Sequence, residues 1–185
     1  MDAPSFFSER RIAALVLIAC FAIFSIGGIL YTGRAIWKWP IGQTTEYLRW
    51  ERSFIILAVV LTVLGLILLE DLLRAAGDSA ISRLGLIAYL VGAVVVVVAE
   101  TTSLSTHEQV YPQIVFYVVV AFLAQTAFGV SVLRTGLVPN WVGWVTIIWN
   151  LAWLVVLPIA SPRDVYFPVL HHASPLIIGI ALLAE

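Results

Sequence analysis

The chain has 185 residues, of which 62% are hydrophobic and only 11% charged, and its mean hydropathy is +1.04. Soluble domains are roughly 45–50% apolar and about 25% charged, so a core of this size has no room for the excess, and a water-soluble globule is excluded. A net charge of −1 without a basic stripe excludes nucleic acid as a partner, and the single Cys20 excludes an intrachain disulfide.

Six windows are long and apolar enough to cross a bilayer, which takes about 17–25 residues at 1.5 Å each. They are Ile12–Tyr31, Ser53–Leu69, Leu84–Leu104, Ile114–Leu133, Trp141–Ile159 and Val165–Leu183. Each run is continuous rather than alternating, so helices are expected and barrel strands are not. The expected fold is all-α, one integral membrane bundle of six transmembrane helices over residues 1–185.

Arg10 and Arg11 stand before the first window. The window is as long as a spanning helix and no small-residue cleavage site follows a shorter core, so it reads as a retained helix rather than a leader. The first connection, Thr32 to Arg52, carries Trp37, Trp39, Tyr47 and Trp50 among charges, as a membrane–water interface favours. A short interfacial helix is expected over Thr44–Arg52, capped by Thr44 or Thr45. At the end of the second window, Glu70 and Arg74 have the i, i+4 spacing of a surface ion pair.

The third window carries Gly85, Ala88 and Gly92, a spacing that lets another helix approach closely. Gln125 and Asn150 fall near the middle of the fourth and fifth windows, where buried amides commonly bridge helices. Trp141 and Trp144 suit an interface belt. Trp149 and Trp153, further in, suit the wall of a cavity for a flat apolar ligand. The two halves share neither loop lengths nor Gly and Pro positions, so no inverted repeat is present. Lys and Arg divide five to five between the two ends, and a cytoplasmic N-terminus is expected only because short Arg-flanked turns fill that side.

Six spans would place Glu46, Glu51, Glu100, Glu108, Asp164 and all three histidines on the side away from the N-terminus. Ionisable groups inside a bilayer are functional candidates because burying their charge is costly. Glu100, His171 and His172, with His107 and Glu108, are therefore the candidates for a ligand or proton site. Glu100 and one histidine are expected near the same depth. The chemistries open to them are proton transfer between carboxylate and imidazole, a divalent metal, or ligation of a pigment's magnesium. Adjacent histidines point about 100° apart on a helix, and no H-x-x-x-H or H-E-x-x-H spacing occurs, so the metal is undetermined and no cofactor is required. In the plainer reading, Glu100 reaches up to the interface and the histidines donate to carbonyls. Ser174–Pro175 taken alone reads as a helix start, with the histidines in a loop before it. Only about 16 Å of helix would remain from Pro175 to Glu185. The sixth helix is therefore expected to begin near Val165–Pro168 and to kink at Pro175, with the histidines at its hydrated entry.

The stretch SVLRTGLVPNWVGWVTIIWNLAWLVV, Ser131–Val156, resembles an uncharacterised family of small bacterial polytopic membrane proteins. The likeness rests on Arg134, Thr135, Gly136, Leu137, Val138, Pro139, Trp141 and Gly143, a helix–turn–helix signature that covers about a seventh of the chain. It implies the fold and a bacterial inner-membrane location, and no activity. Two functions are expected from the whole reading. One is a non-catalytic accessory or scaffold subunit of a membrane complex that holds a lipid, quinone or pigment between its helices. The other is a small membrane enzyme or transporter that uses a Glu/His proton or metal site.

Overall fold

The computed structural model describes residues 8–78, 80–106, 111–160 and 168–184. Within them the chain forms α1 (Glu9–Ala35), α2 (Thr45–Ala75), α3 (Ile81–Thr106), α4 (Tyr111–Thr135), α5 (Asn140–Ala160) and α6 (Ala173–Ala184). Short 3-10 turns, Pro40–Gln43 and Pro168–His172, precede α2 and α6. The protein is a multi-pass helical membrane protein. Helices α1 to α5 are long and apolar enough to cross a bilayer, and α6, over the described residues, is a shorter apolar helix.

The first five windows lie inside the observed helices, which run one to eight residues further at each end. The expected interfacial helix over Thr44–Arg52 is not separate. Thr44 caps it, accepting from the Tyr47 amide at 3.2 Å, but the helix continues without a break through Ala75. No Gly or Pro interrupts Thr45–Ser53, so nothing ends the first turns before the apolar run begins.

The sixth window departs most from expectation. Its helix is 12 residues long and starts at Ala173. Pro175 therefore sits in the first turn, where its missing N–H costs no helical hydrogen bond. It starts the helix rather than kinking it, and both histidines fall in the preceding 3-10 turn.

The helices follow one another round a closed ring, with α6 between α5 and α1. Small residues set the closest approaches. A Cβ on Gly143 would stand 2.8 Å from the Gly129 carbonyl oxygen, and one on Gly179 would stand 2.9 Å from that of Ala14. Only glycine allows backbones so near, in the manner of small-residue contacts between membrane helices. Gly85 and Gly92 likewise face α4, against Ala124 and Tyr117. The outward faces carry Leu84, Val94, Val98, Val155 and Ile159, all more than half exposed, which presents hydrocarbon to lipid. Trp37 and Trp50 are exposed at the end of the bundle where α1 stops, and Trp141 and Trp144 at the end where it starts. These two ends are called the far and near sides below.

At the near side, Gly77 turns the chain with φ of 102° and delivers Asp78 to the start of α3. One Asp78 carboxylate oxygen accepts from the Ser82 amide at 2.7 Å and from the Ser131 hydroxyl of α4 at 3.0 Å. The surface pair expected between Glu70 and Arg74 is not made: Arg74 bonds Asp71 at 2.7 Å, and Glu70 meets Arg83 of α3 at 3.4 Å. Glu70 is nearly buried between α2 and α3 and faces Arg83, whereas Asp71 shares the exposed side of Arg74.

Burial by itself pushes the Asp78 carboxyl up, but its hydrogen bonds with Ser82 and Ser131 and the charge of Arg134 outweigh it and hold the group below the usual aspartate range. Stability from such a group is complete above the unfolded value of about 3.9 and is lost as pH falls through the lower folded value. Asp78→Ala is expected to cost about 1 kcal/mol at neutral pH through the lost hydrogen bonds from Ser82 and Ser131. Thermal unfolding in detergent should show the gap to wild type narrowing below about pH 4. An unchanged gap would show that the carboxylate charge does not contribute.

Candidate functional site

Two clusters of buried ionisable side chains stand out inside the ring among the described residues, at different depths. The upper one is a charge ladder at the far side. Arg34, in the last turn of α1, grips Glu51 of α2 with both ends of its fork, Nε to Oε2 at 2.7 Å and Nη2 to Oε1 at 2.8 Å. Arg52 stands 3.7 Å from Glu51 and bonds Glu100 of α3 at 2.5 Å. Glu51, Arg52 and Glu100 are all buried. Two arginines and two glutamates thus alternate across three helices, and the ladder is neutral as a unit.

This arrangement revises the expectation for Glu100. Its carboxylate does not reach up into water; it is 2% exposed and paired with Arg52. The sequence placed Arg52 in a polar connection. Because that connection is the first turns of α2, the guanidinium is carried inside the bundle instead. Arg52 is the bulkiest fully buried side chain among the described residues.

The lower cluster is built on His171. Its Nε2 is 3.3 Å from the Tyr89 hydroxyl of α3 and 3.2 Å from the Tyr117 hydroxyl of α4, and the two hydroxyls are 3.0 Å apart. Phe122 meets the imidazole edge-on, with centroids 6.0 Å apart. His172 stacks on Phe24 of α1 at 4.2 Å, and the two imidazoles are 4.0 Å apart. Both histidines are fully buried. The 3-10 turn that carries them is held by α5, where the Trp149 indole N–H donates to the Leu170 carbonyl at 2.5 Å. Thr62 of α2 lies beside Tyr89 and Cys20.

The depth of this cluster follows from helix register. Phe24 is fifteen residues from the start of α1 and eleven from its end, or roughly 22 and 16 Å. His172, stacked on it, is therefore level with the middle of the apolar span of α1. Gly27 packs against Phe54 and Ile55, which sets Arg52 level with about residue 30 of α1. The histidines consequently lie about 9 Å deeper than the Arg52–Glu100 pair. The two groups expected at one depth are on separate levels because α6 begins only at Ala173 and its histidines precede it at the midplane.

Next to the histidines, Asn150 of α5 donates through Nδ2 to the Thr146 carbonyl and to the Ser174 hydroxyl of α6, both at 2.7 Å. Gln125 is fully buried on α4. His107 and Glu108 lie outside the described residues. Among the described residues no group of three or more His, Cys, Asp or Glu is placed to hold a metal ion.

Nothing in the local sequence singles out Tyr89 and Tyr117. A tyrosine within a run of Val, Ala and Phe reads as one more large apolar side chain, and only its hydroxyl's need for a buried partner marks it. Their pairing with each other and with His171 joins residues 28, 54 and 82 positions apart, which no local spacing records.

The cluster is suited to moving a proton. A neutral imidazole with a free lone pair on Nε2 accepts from one tyrosine, whose oxygen accepts from the other. Protonation turns Nε2–H into a donor, and the same chain must reverse. The ladder, by contrast, already matches each charge with its opposite.

No protein-family model matches the chain, no curated protein matches it, and no solved structure matches it. The likeness of Ser131–Val156 therefore extends to a helix–turn–helix and carries no family assignment.

Removing one member of a buried ion pair typically costs about 3–5 kcal/mol, whereas replacing both with apolar groups is often near neutral. Glu100→Gln is expected to lose stability on that scale, and Arg52→Met with Glu100→Leu is expected to recover most of it. Chemical or thermal unfolding in a mild detergent measures both. A double variant as unstable as the sum of the singles would mean that the two residues act separately.

Proposed function

We propose that this protein is a small membrane transporter or enzyme that takes up and releases a proton at His171, with Tyr89 and Tyr117 as its hydrogen-bonded relay. The single observation behind this reading is the imidazole nitrogen at 3.2 and 3.3 Å from two mutually bonded tyrosine hydroxyls in the middle of a membrane bundle. Polar and ionisable groups at that depth are expensive and, where they persist, usually mark ion or proton pathways. Histidine is the side chain whose ordinary titration lies between pH 5 and 8. Glu100, the first candidate from sequence, takes a supporting part here: with Arg52, Glu51 and Arg34 it ties the far ends of α1, α2 and α3 over the histidine site.

The measurement that decides this is the imidazole nitrogen spectrum of histidine-labelled protein in lipid bilayers. His107→Gln and His172→Gln variants would assign His171. Its Nε2 signal is expected to change protonation state between pH 5 and 8, and Tyr117→Phe to shift the midpoint. An Nε2 signal constant over that range would overturn the reading.

A second reading, a non-catalytic subunit of a bacterial inner-membrane complex, is favoured by one feature of α5. An open apolar groove of about 370 Å³ runs along its outer face, lined by Val145, Ile148, Trp149, Ala152, Trp153 and Val156. Trp149 and Trp153 meet edge-to-face there at 5.7 Å. Such a groove suits a lipid tail, a quinone, a pigment or a partner helix. Under this reading the protein runs on a native gel within a larger assembly, and Trp153→Ala releases it. Migration as a single chain in several mild detergents would count against it.

A further inference from the structure

Four buried polar atoms on α4 and α5 have no hydrogen-bond partner among the described residues: Gln125 Nε2, Gln125 Oε1, Thr146 Oγ1 and Asn150 Oδ1. Their three side chains are fully buried. The behaviour of Thr146 is informative. Thr62, Thr101, Thr126 and Thr135 each donate to the carbonyl four residues back, the default for a threonine in a membrane helix. Thr146 makes no such bond, so its hydroxyl is directed elsewhere.

Helix register places these side chains at neighbouring levels. A Cβ on Gly129 would stand 3.0 Å from the Thr146 methyl carbon, which fixes α4 against α5 at that level. The two helices are antiparallel. Four residues back from Gly129 is Gln125, and four residues on from Thr146 is Asn150, so Gln125 and Asn150 stand level on facing helices. Asn150 in turn reaches Ser174 in the first turn of α6, three residues from His171.

A buried polar group without a partner is costly, and four on two adjacent turns are not kept unless something bonds them. The chemistry of the set identifies the partner. Gln125 supplies both donors and an acceptor, Thr146 supplies either, and Asn150 supplies an acceptor. Among the described residues no carboxylate bonds these side chains, so a cation would lack one and would face the positive end of α6. An anion would face the two amide oxygens. A neutral molecule that both donates and accepts fits, and water makes about three such bonds at a buried site.

We infer that Gln125, Thr146 and Asn150 hold bound water between α4, α5 and α6 at the midplane. That this water gives His171 access to the near side rests on the proton reading above. Proton movement through it is conservative: one O–H bond forms on the water as another breaks, with no co-reactant. Asp78 stands on that side, with Oδ2 held by Ser82 and Ser131 and Oδ1 without a partner among the described residues.

The experiment is water-edited solid-state NMR of the protein in lipid bilayers, with the Gln125 amide assigned by its loss in Gln125→Met. Rapid magnetisation transfer from water to that amide is expected. Gln125→Met is also expected to lower the melting temperature, because it leaves the water, Thr146 and Asn150 short of a partner. An amide as dry as the surrounding apolar core overturns the inference. So does a Gln125→Met variant that melts higher than wild type, since removing an unpaired buried amide stabilises. After a pH jump, Gln125→Met is expected to slow the protonation change of His171 several-fold with its midpoint unmoved. A wet Gln125 beside a His171 that never titrates overturns the proton reading alone. A titrating His171 beside a dry Gln125 overturns the water site alone.

Discussion

Hydrocarbon offers no hydrogen-bond partner, so every polar group this chain carries into the bilayer must be satisfied from within the bundle. The rest of the architecture is arranged around that constraint. Helices satisfy their own backbone. The far-side ladder matches Arg34 and Arg52 with Glu51 and Glu100. The midplane group sets an imidazole against two hydroxyls, and Asn150 ties α5 to α6 through Ser174. Such networks hold together only as units, because removing one member leaves its partner buried and uncompensated.

The small residues are what let these networks close. Side-chain hydrogen bonds between helices need short spans, and Gly129 against Gly143, Gly179 against Ala14, and Gly85 and Gly92 against α4 bring the backbones near enough. The apolar residues between them exclude lipid and raise the electrostatic value of each pairing. Packing and polarity are thus one design: the close contacts position the polar groups, and the polar groups select the register of the contacts.

The start of α6 has the largest consequence for where the histidines sit. A full sixth span would have left the histidines near an interface, where water competes for every hydrogen bond. Beginning the helix at Ala173 puts the 3-10 turn, and with it His171 and His172, at mid-depth. Irregular backbone at that depth is tolerated where protein surrounds it, and Trp149 meets that need by bonding the Leu170 carbonyl. A local choice at Ser174–Pro175 therefore decides what the histidines face.

Much of the fold was legible in the sequence. Five of the six windows, the Thr44 cap, the aromatic interface and the all-α membrane class follow from hydropathy and turn chemistry, because the bilayer sets one thickness and a helix covers it at a constant rise per residue. The length of the last helix was not legible, because two local signals, Pro175 as a start and the need to span, pointed in opposite directions. The partners of the polar groups were not legible either. Arg52 with Glu100, and His171 with Tyr89 and Tyr117, join positions 48 to 82 residues apart. By itself the sequence determined which residues enter the membrane, since that depends on each segment's own transfer free energy. Only the tertiary structure decided which of them meet, since that depends on the rotation and register of helices packed by contacts distant in the chain.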